Sequence, residues 1–232
     1  MSPASSDSHP GRPHFQEELQ QLEGQTLAGV DLLLDQLDRT IEALCHQDVE
    51  LASLVIVDDD RIDGRYLEVH QGILSLLARQ APVAGDLRLV AALLHVIKHI
   101  ERMGDQCVNI CKLIPLSGNE PPTEPRILEM ALRMGGLARA EVVQAKAAFA
   151  ARDVRLAEDL VRQDQEVNAI QRDIFRRAIE IGDDADVREW AMTIILIARC
   201  IERIGDNAVD IGEQTAFVVT GLFREFSDSS RR

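Results

Sequence analysis

The sequence predicts an all-α protein made of two tandem, related three-helix bundles. Apolar residues recur about every 3.6 positions over long stretches, and no segment reads as a strand. Aromatic residues are only 3% of the chain against 46% apolar residues, so the core must consist of aliphatic side chains, which suit helices. Two stretches of the first half recur in the second half, which indicates that the second bundle repeats the first.

Six long helices are predicted, three in each half. Their approximate spans are 15–46, 48–80, 83–114, 126–151, 153–181 and 184–221. Asp48 and Asp153 are placed to cap the second and fifth helices. Ala81-Pro82 ends the second helix, and Gly182-Asp183-Asp184 turns the chain into the sixth. Helices of this length need partners along their whole length, so an up-down-up bundle in each half is the simplest arrangement.

The domain boundaries follow from local composition. Residues 1–13 lack the basic and apolar regions of a signal peptide and are predicted to be a disordered tail, as are residues 223–232. The first bundle spans 14–114 and the second 126–222, and the linker 115–125 between them contains four prolines. No apolar run approaches about 18 residues, so we expect no direct membrane insertion.

Charge and cysteine content limit the function classes. The chain has 25 basic and 39 acidic residues and a net charge of −14, which disfavours nucleic acid or anionic lipid as a partner and fits cation binding or simply solubility. The four cysteines include no CxxC pair and are predicted to be small buried hydrophobic residues in a reduced cytoplasm.

One segment of the sequence occurs twice. Residues 100–110 read IERMGDQCVNI and residues 201–211 read IERIGDNAVDI, with seven of the eleven positions identical. A second match aligns residues 47–63 with residues 152–168, at an offset of 105. Two copies of about 100 residues indicate a duplicated domain, because a solenoid normally needs three or more shorter repeats.

The acidic residues of the first repeat should face each other across a helix hairpin. Residues four apart project from the same side of a helix. In an antiparallel hairpin, two residues lie level when they are equally far from the turn. Asp63 and Glu101 average to position 82, and so do Asp59 and Asp105. Pro82 marks the predicted turn.

The second repeat gives the same result. Asn168 and Glu202 average to position 185, as do Asp164 and Asp206. Position 185 falls inside the predicted turn between the last two helices. The sequence therefore predicts two facing acidic patches, one in each bundle.

Such patches suggest metal binding. Two charges about 5.5 Å apart repel by roughly 3 kcal/mol at an effective dielectric of about 20, so a cation, raised pKa values or nearby basic residues must offset the repulsion. Lys98 and Arg199, three residues before each glutamate, are placed to do so. Convergent carboxylates also supply the oxygen ligands that magnesium, manganese and iron prefer. The candidate metal ligands are Asp59, Asp63, Glu101, Asp105 and Asn109 in the first half, and Asp164, Asn168, Glu202, Asp206 and Asp210 in the second.

Two alternatives stay open. The acidic faces could be merely solvated, on a metal-independent helical scaffold.

Gly104 and Gly205 lie inside predicted helices, where each costs about 1 kcal/mol relative to alanine. They therefore indicate a close approach of a neighbouring helix or ion, or serve helix packing alone.

The other alternative is a carboxylate-bridged metal oxidase. Di-iron bundles use Glu-x-x-His, and here a glycine stands three residues after each glutamate. His95 and His99 are expected to be surface residues. The sequence contains no motif of nucleophilic or phosphate-binding chemistry, so no catalytic residue is predicted.

The duplicated IERxGD helices resemble those of the PhoU family, the phosphate-uptake regulators that accompany the phosphate-specific ABC transporter. The segments RQAPVAGDLR (79–88) and HFQEELQQLEGQ (14–25) resemble this family too, and the similarity covers about 14–221. The resemblance implies a cytoplasmic all-α protein that forms a homodimer or higher homo-oligomer. It also implies binding of iron, zinc or magnesium through E(D)xxxD motifs, which correspond to Glu101 with Asp105 and Glu202 with Asp206.

The resemblance further implies a negative regulator. Family members link the ATPase of the transporter to a sensor histidine kinase when phosphate is plentiful, so a peripheral position at the inner membrane is expected through these partners. Two departures stand out. The second half keeps only Asp186-Val187-Arg188 of the Pro-x-Ala-x-Asp-Leu-Arg turn, and Asn109 stands where the second half has Asp210. The first metal site is therefore expected to be weaker, or the two to differ in occupancy.

Overall fold

The computed structural model describes residues 13–117, 124–181 and 184–226, which contain helices and no strand. The elements are α1 (Pro13–His46), α2 (Val49–Asp58), α3 (Asp60–Arg79), α4 (Ala84–Leu113), a 3₁₀ turn (Ile114–Ser117), α5 (Pro125–Ala151), α6 (Val154–Ile179) and α7 (Ala185–Thr220). Of the predicted tails at 1–13 and 223–232, residues 1–12 and 227–232 lie outside the described residues, as do linker residues 118–123 and turn residues 182–183. None of the described helices is both long and apolar enough to cross a membrane.

The prediction of six long helices is confirmed, with one interruption. The second predicted helix is divided at Asp59 into α2 and α3, although Asp59 keeps a right-handed helical backbone with φ −59° and ψ −28°. The amide of Ile62 bonds to the carbonyl of Asp59 at 2.8 Å, which is a 3₁₀-type contact. Aspartate is a poor helix former, and Asp59 stands in a run of three aspartates at 58–60, so the local sequence explains the interruption.

Equivalent caps start the corresponding helices of the two halves. The Asp48 side chain accepts a hydrogen bond from the amide of Leu51 at 2.9 Å, and the Asp153 side chain accepts one from the amide of Arg155 at 2.8 Å. Both predicted N-caps are therefore confirmed. The residue before each cap, Gln47 or Arg152, adopts a left-handed backbone with φ of 51° or 56°. The duplication thus preserves the geometry of these helix connections.

The two bundles pack side by side. Helices α1 to α4 form the first bundle and α5 to α7 form the second, and α4 contacts α7 while α1 contacts α5. Ion pairs join α1 to α5, including that between Asp31 and Lys146 at 2.5 Å. The buried apolar residues of both bundles form one continuous core cluster. This arrangement fixes the hairpins that carry the acidic residues.

The packing of α7 on α4 explains why one histidine prediction was wrong. His99 is only 9% exposed, and its Nδ1 lies 2.8 Å from Asn207 Oδ1 on α7. His95 is exposed, as predicted. The prediction for His99 considered the first bundle alone, whereas the second bundle covers this face of α4.

The cysteines divide between core and surface. Cys107 and Cys111 are buried, as predicted, and burial raises the pKa of the Cys111 thiol to about 11. Cys200 is half-buried and Cys45 is exposed, contrary to the prediction, because Cys45 lies on the outer face of α1 near its end. All four thiols are free.

Candidate metal sites

The first acidic site lies where α1, the junction of α2 with α3, and α4 meet. The Gln36 side chain on α1 donates a hydrogen bond from Nε2 to Asp59 Oδ1 at 2.8 Å. A Cβ atom at Gly104 of α4 would lie 3.1 Å from Asp59 Oδ1 and 3.3 Å from Gln36 Oε1. The missing side chain of Gly104 therefore lets two oxygen-bearing side chains approach α4 closely.

The carboxylates of the first site affect one another. Burial raises the pKa of Asp59, the hydrogen bond from Gln36 lowers it, and the charges of Asp63 and Asp105 raise it again. Burial also raises the pKa of Asp105, with further contributions from Glu101 and Asp63. The structure thus places Asp59, Asp63, Glu101 and Asp105 within electrostatic range of one another.

Basic residues engage the two glutamates of the repeated motif. Lys98 Nζ lies 2.7 Å from both carboxylate oxygens of Glu101. In the second bundle, Arg199 donates to both carboxylate oxygens of Glu202. The predicted compensation by the basic residue three positions earlier is therefore present in both repeats. The basic partners are exposed, at 40% of the Lys98 and 53% of the Arg199 side chain, whereas only 17% of the Glu101 and 12% of the Glu202 side chain is exposed.

The second acidic site lies between α6 and α7. Asp164 is only 6% exposed and accepts a hydrogen bond on Oδ2 from Asn168 at 2.6 Å. Its Oδ1 would lie 3.0 Å from a Cβ atom at Gly205 of α7. Burial raises the pKa of Glu202, and the nearby charge of Asp206 raises it further. Glycine thus permits the same close approach as in the first bundle.

Glu141 on α5 is a site residue that the sequence analysis missed. Its side chain is fully buried, and neither carboxylate oxygen has a hydrogen-bond partner in the described part of the chain. Its Oε2 would lie 2.6 Å from a Cβ atom at Gly205. Burial raises the pKa of Glu141 to about 8, and the charges of Asp164 and Asp206 contribute to the rise. A third helix therefore adds a buried carboxyl group to the second site.

The sequence does contain a signal for Glu141. The offset of 105 that aligns the helix caps also aligns Gln36 with Glu141. Each stands in a stripe of buried residues, Gln36 between Leu33 and Leu37, and Glu141 beside Val142. A polar residue on an apolar helix face is a more informative observation than a further acidic residue on a solvated face.

Asn109 and Asp210 lie one turn beyond the motif residues. Asn109 is exposed on α4. Asp210 Oδ2 lies 3.5 Å from Nδ1 of His99, in the joint between the bundles. This contact occupies Asp210 with the neighbouring bundle, and a ligand role for either residue stays a prediction.

The donor atoms fit a cation, although they are not assembled around one. Within residues 13–117, 124–181 and 184–226, no three His, Cys, Asp or Glu side chains are grouped closely enough to hold a metal ion as they stand. Buried oxygens without hydrogen-bond partners among the described residues nevertheless belong to Gln36 and Glu141, beside the two helix glycines.

Comparison with known proteins identifies the domain type. The model of the PhoU domain matches the chain twice, at residues 30–114 and 131–215. A protein of Zymomonas mobilis is 32% identical over 186 residues, covering 80% of this chain and 78% of its own. A protein of Thermotoga maritima is 31% identical over 210 residues, covering 90% of each chain. Both are described as homologues of the phosphate-specific transport system accessory protein PhoU.

Solved structures agree with the fold. PhoU from Pseudomonas aeruginosa superposes with a TM-score of 0.83 at 28% identity, covering 90% of this chain and 100% of that one. The phosphate transport system regulatory protein PhoU from Streptococcus pneumoniae gives a TM-score of 0.83 at 25% identity, covering 90% and 99%. These matches confirm the predicted pair of related three-helix bundles. The chain belongs to the PhoU family and contains two copies of its domain.

Proposed function

We propose that this chain is a negative regulator of phosphate uptake and of the phosphate-starvation response. It acts as a metal-binding adaptor between the ATPase of a phosphate ABC transporter and a sensor histidine kinase. The observation that carries the proposal is the presence of two PhoU domains, because related proteins are described as accessory or regulatory proteins of phosphate transport. We further propose that the protein works in the cytoplasm, as a homodimer or higher homo-oligomer, and reaches the membrane only through its partners.

The proposed activity requires no catalytic residue. A carboxylate-bridged oxidase would need Glu-x-x-His on two helices, and Gly104 and Gly205 stand where those histidines would be. The fold instead presents long helical faces suited to protein partners. The net charge of −14 also disfavours nucleic acid as one of those partners.

Iron, zinc, magnesium or manganese is the proposed ligand of the two acidic sites. When bound, such a cation supplies the positive charge that offsets repulsion among carboxylates on neighbouring helices. Asp59 and Asp105 would hold it between the α2–α3 junction and α4, and Asp164 and Asp206 between α6 and α7. Because each pair joins two helices, binding would stiffen the helical faces that a partner meets.

A genetic experiment tests the regulatory role. Deleting the gene in its own organism should switch on a phosphate-starvation reporter in medium rich in phosphate, and the wild-type gene should switch it off again. Pull-down of the full chain from the same cells should recover the transporter ATPase. A reporter that stays off in the deletion strain would overturn the proposal.

A metal-independent helical scaffold is the second candidate. The pairing of Lys98 with Glu101 and of Arg199 with Glu202 favours it, because these contacts already compensate part of the acidic charge. The melting temperature distinguishes the two candidates, since a ligand that binds the folded state raises it with concentration. Equal melting temperatures in chelator and in excess of each of the four metals would establish the scaffold and exclude metal binding.

A further inference from the structure

We propose that Glu141 is a metal ligand, and that it makes the second-bundle site fill with a divalent cation before the first-bundle site. This inference rests on the metal binding proposed above. It assigns the tighter site to Glu141, Asp164 and Asp206, and the weaker one to Asp59, Asp63 and Asp105.

The two sites differ in how deeply their charge is buried. Glu141 is fully buried and Asp164 is 6% exposed, whereas Asp63 and Asp105 are exposed. Attraction between a cation and a carboxylate grows as the effective dielectric falls and as water and salt are excluded. Carboxylates at the second site should therefore attract a cation more strongly than those at the first.

Hydrogen bonding by the side chain that the first helix of each bundle contributes, Gln36 on α1 or Glu141 on α5, differs in the same direction. Neither oxygen of Glu141 has a hydrogen-bond partner in the described residues, and a buried acceptor without a partner carries a large desolvation cost. Its counterpart Gln36 is neutral and donates a hydrogen bond to Asp59. A cation at the second site would give the buried Glu141 oxygens a partner, while one at the first site would only add to a group that is already hydrogen-bonded.

The geometry places Glu141 next to the other ligands. Oxygen atoms of Glu141 and Asp164 both lie against Gly205 of α7, at 2.6 Å and 3.0 Å from the position that a Cβ atom of this residue would take. Asp206 is the next residue of α7. Carboxylates from α5 and α6 thus border one point of α7, next to the residue that carries the Asp206 carboxylate, and oxygen donors of this kind suit a hard divalent cation.

Titration of the chelator-treated full chain with Mn²⁺ tests the inference by calorimetry. The wild-type protein should show two classes of site whose dissociation constants differ by at least tenfold. Glu141→Gln, which keeps the size of the side chain, should weaken the tight class at least tenfold and leave the weak class unchanged. Asp105→Asn is the matched variant in the first bundle and should remove only the weak class.

The possible failures are distinguishable. Absence of Mn²⁺ binding by the wild-type chain would overturn the proposed metal binding itself. Two classes that persist unchanged in Glu141→Gln would overturn this inference and leave metal binding intact. If circular dichroism shows that Glu141→Gln does not fold, Asp206→Asn takes its place. Loss of the weak class in Asp206→Asn, with the tight class lost in Asp105→Asn, would reverse the assignment and overturn the inference.

Discussion

The acidic sites of the two bundles lie on equivalent helices but differ in the residues that flank Asp59 in the first bundle and Asp164 in the second. In the first bundle Asp59 stands between Asp58 and Asp60, and the helix is interrupted there. In the second bundle Asp164 stands between Gln163 and Gln165, and α6 continues without a break. Glutamine forms helices better than aspartate and adds no charge. The flanking residues thus explain why the helix is interrupted at the first site and continuous at the second.

The first helix of each bundle, α1 or α5, shows a further difference, which changes how deeply a carboxyl group is buried but not the number of carboxyl groups. The first site contains the carboxylates of Asp59, Asp63, Glu101 and Asp105, and the second contains those of Glu141, Asp164, Glu202 and Asp206. Relative to the first bundle, the second has glutamate instead of glutamine on its first helix and asparagine instead of aspartate at position 168. The second bundle therefore has a carboxyl group in the core where the first bundle has one at the surface.

The largest effect is expected from giving the first bundle the buried carboxylate of the second. Gln36→Glu places an ionisable group at a position only 4% exposed and replaces the hydrogen bond to Asp59 by a contact between two carboxylates. In chelator at pH 8 we expect a loss of about 3 kcal/mol in the free energy of unfolding. Urea denaturation measures this change.

The control for this substitution lies on the same helix. Gln20 is exposed on α1, and Gln20→Glu should change the free energy of unfolding by less than about 0.5 kcal/mol. A similar small effect of Gln36→Glu would show that position 36 is more solvated than its contacts indicate.

Glu141 should make the stability of the metal-free protein depend on pH. Its pKa is about 8 in the folded protein against an ordinary value of 4.5, so the folded state retains a proton that the unfolded chain loses. The stabilisation is complete below pH 4.5 and is lost as the pH rises towards 8. The expected slope is about −1.4 kcal/mol per pH unit, or about 2 kcal/mol between pH 5.5 and pH 7.

Urea denaturation in chelator at several pH values tests this expectation. Glu141→Gln has no ionisable proton at this position. The dependence of the free energy of unfolding on pH should therefore become less negative by about 1.4 kcal/mol per pH unit in this interval. If wild-type and variant curves stay parallel, Glu141 ionises normally in the folded protein.

The helix glycines should respond unequally to a methyl group. In Gly205→Ala the new Cβ atom would meet Glu141 Oε2 at 2.6 Å, so the buried carboxylate must move and we expect a loss of about 1.5 kcal/mol. In Gly104→Ala the nearest contact is 3.1 Å, and the gain of about 1 kcal/mol in helix propensity should nearly cancel it. Thermal unfolding of both variants measures the difference, and equal losses would contradict the closer packing of the second site.

The sequence predicted the parts of this comparison that depend on local pattern. Helix periodicity, the caps at Asp48 and Asp153, and the glycine spacing all act through neighbouring residues, so the repeat was sufficient to find them. Which residues of the two helices lie opposite each other in each hairpin also follows from counting positions to the turn. The interruption at Asp59 was not predicted, because packing against neighbouring helices could have kept the helix continuous through the run of three aspartates.

Contacts between distant helices could not be predicted in the same way. Glu141 joins the second site from a helix without the repeated motif, and only its alignment with Gln36 hints at this. His99 is buried by α7, which lies about 100 residues further along the chain. A motif search finds the two helices that carry the motif, whereas burial by a third helix depends on how all of them pack.

The smallest expected effect concerns the two left-handed residues that connect equivalent helices. Gln47 and Arg152 have φ of 51° and 56°, a conformation that favours glycine. Gln47→Gly should therefore raise the free energy of unfolding by about 0.5–1 kcal/mol. Arg152→Gly should give no gain, because Arg152 donates to Glu23 at 2.7 Å and lies over the ring of Phe149 at 4.8 Å. Urea denaturation of both variants compares them directly, and an equal gain would mean that these contacts of Arg152 contribute nothing to stability.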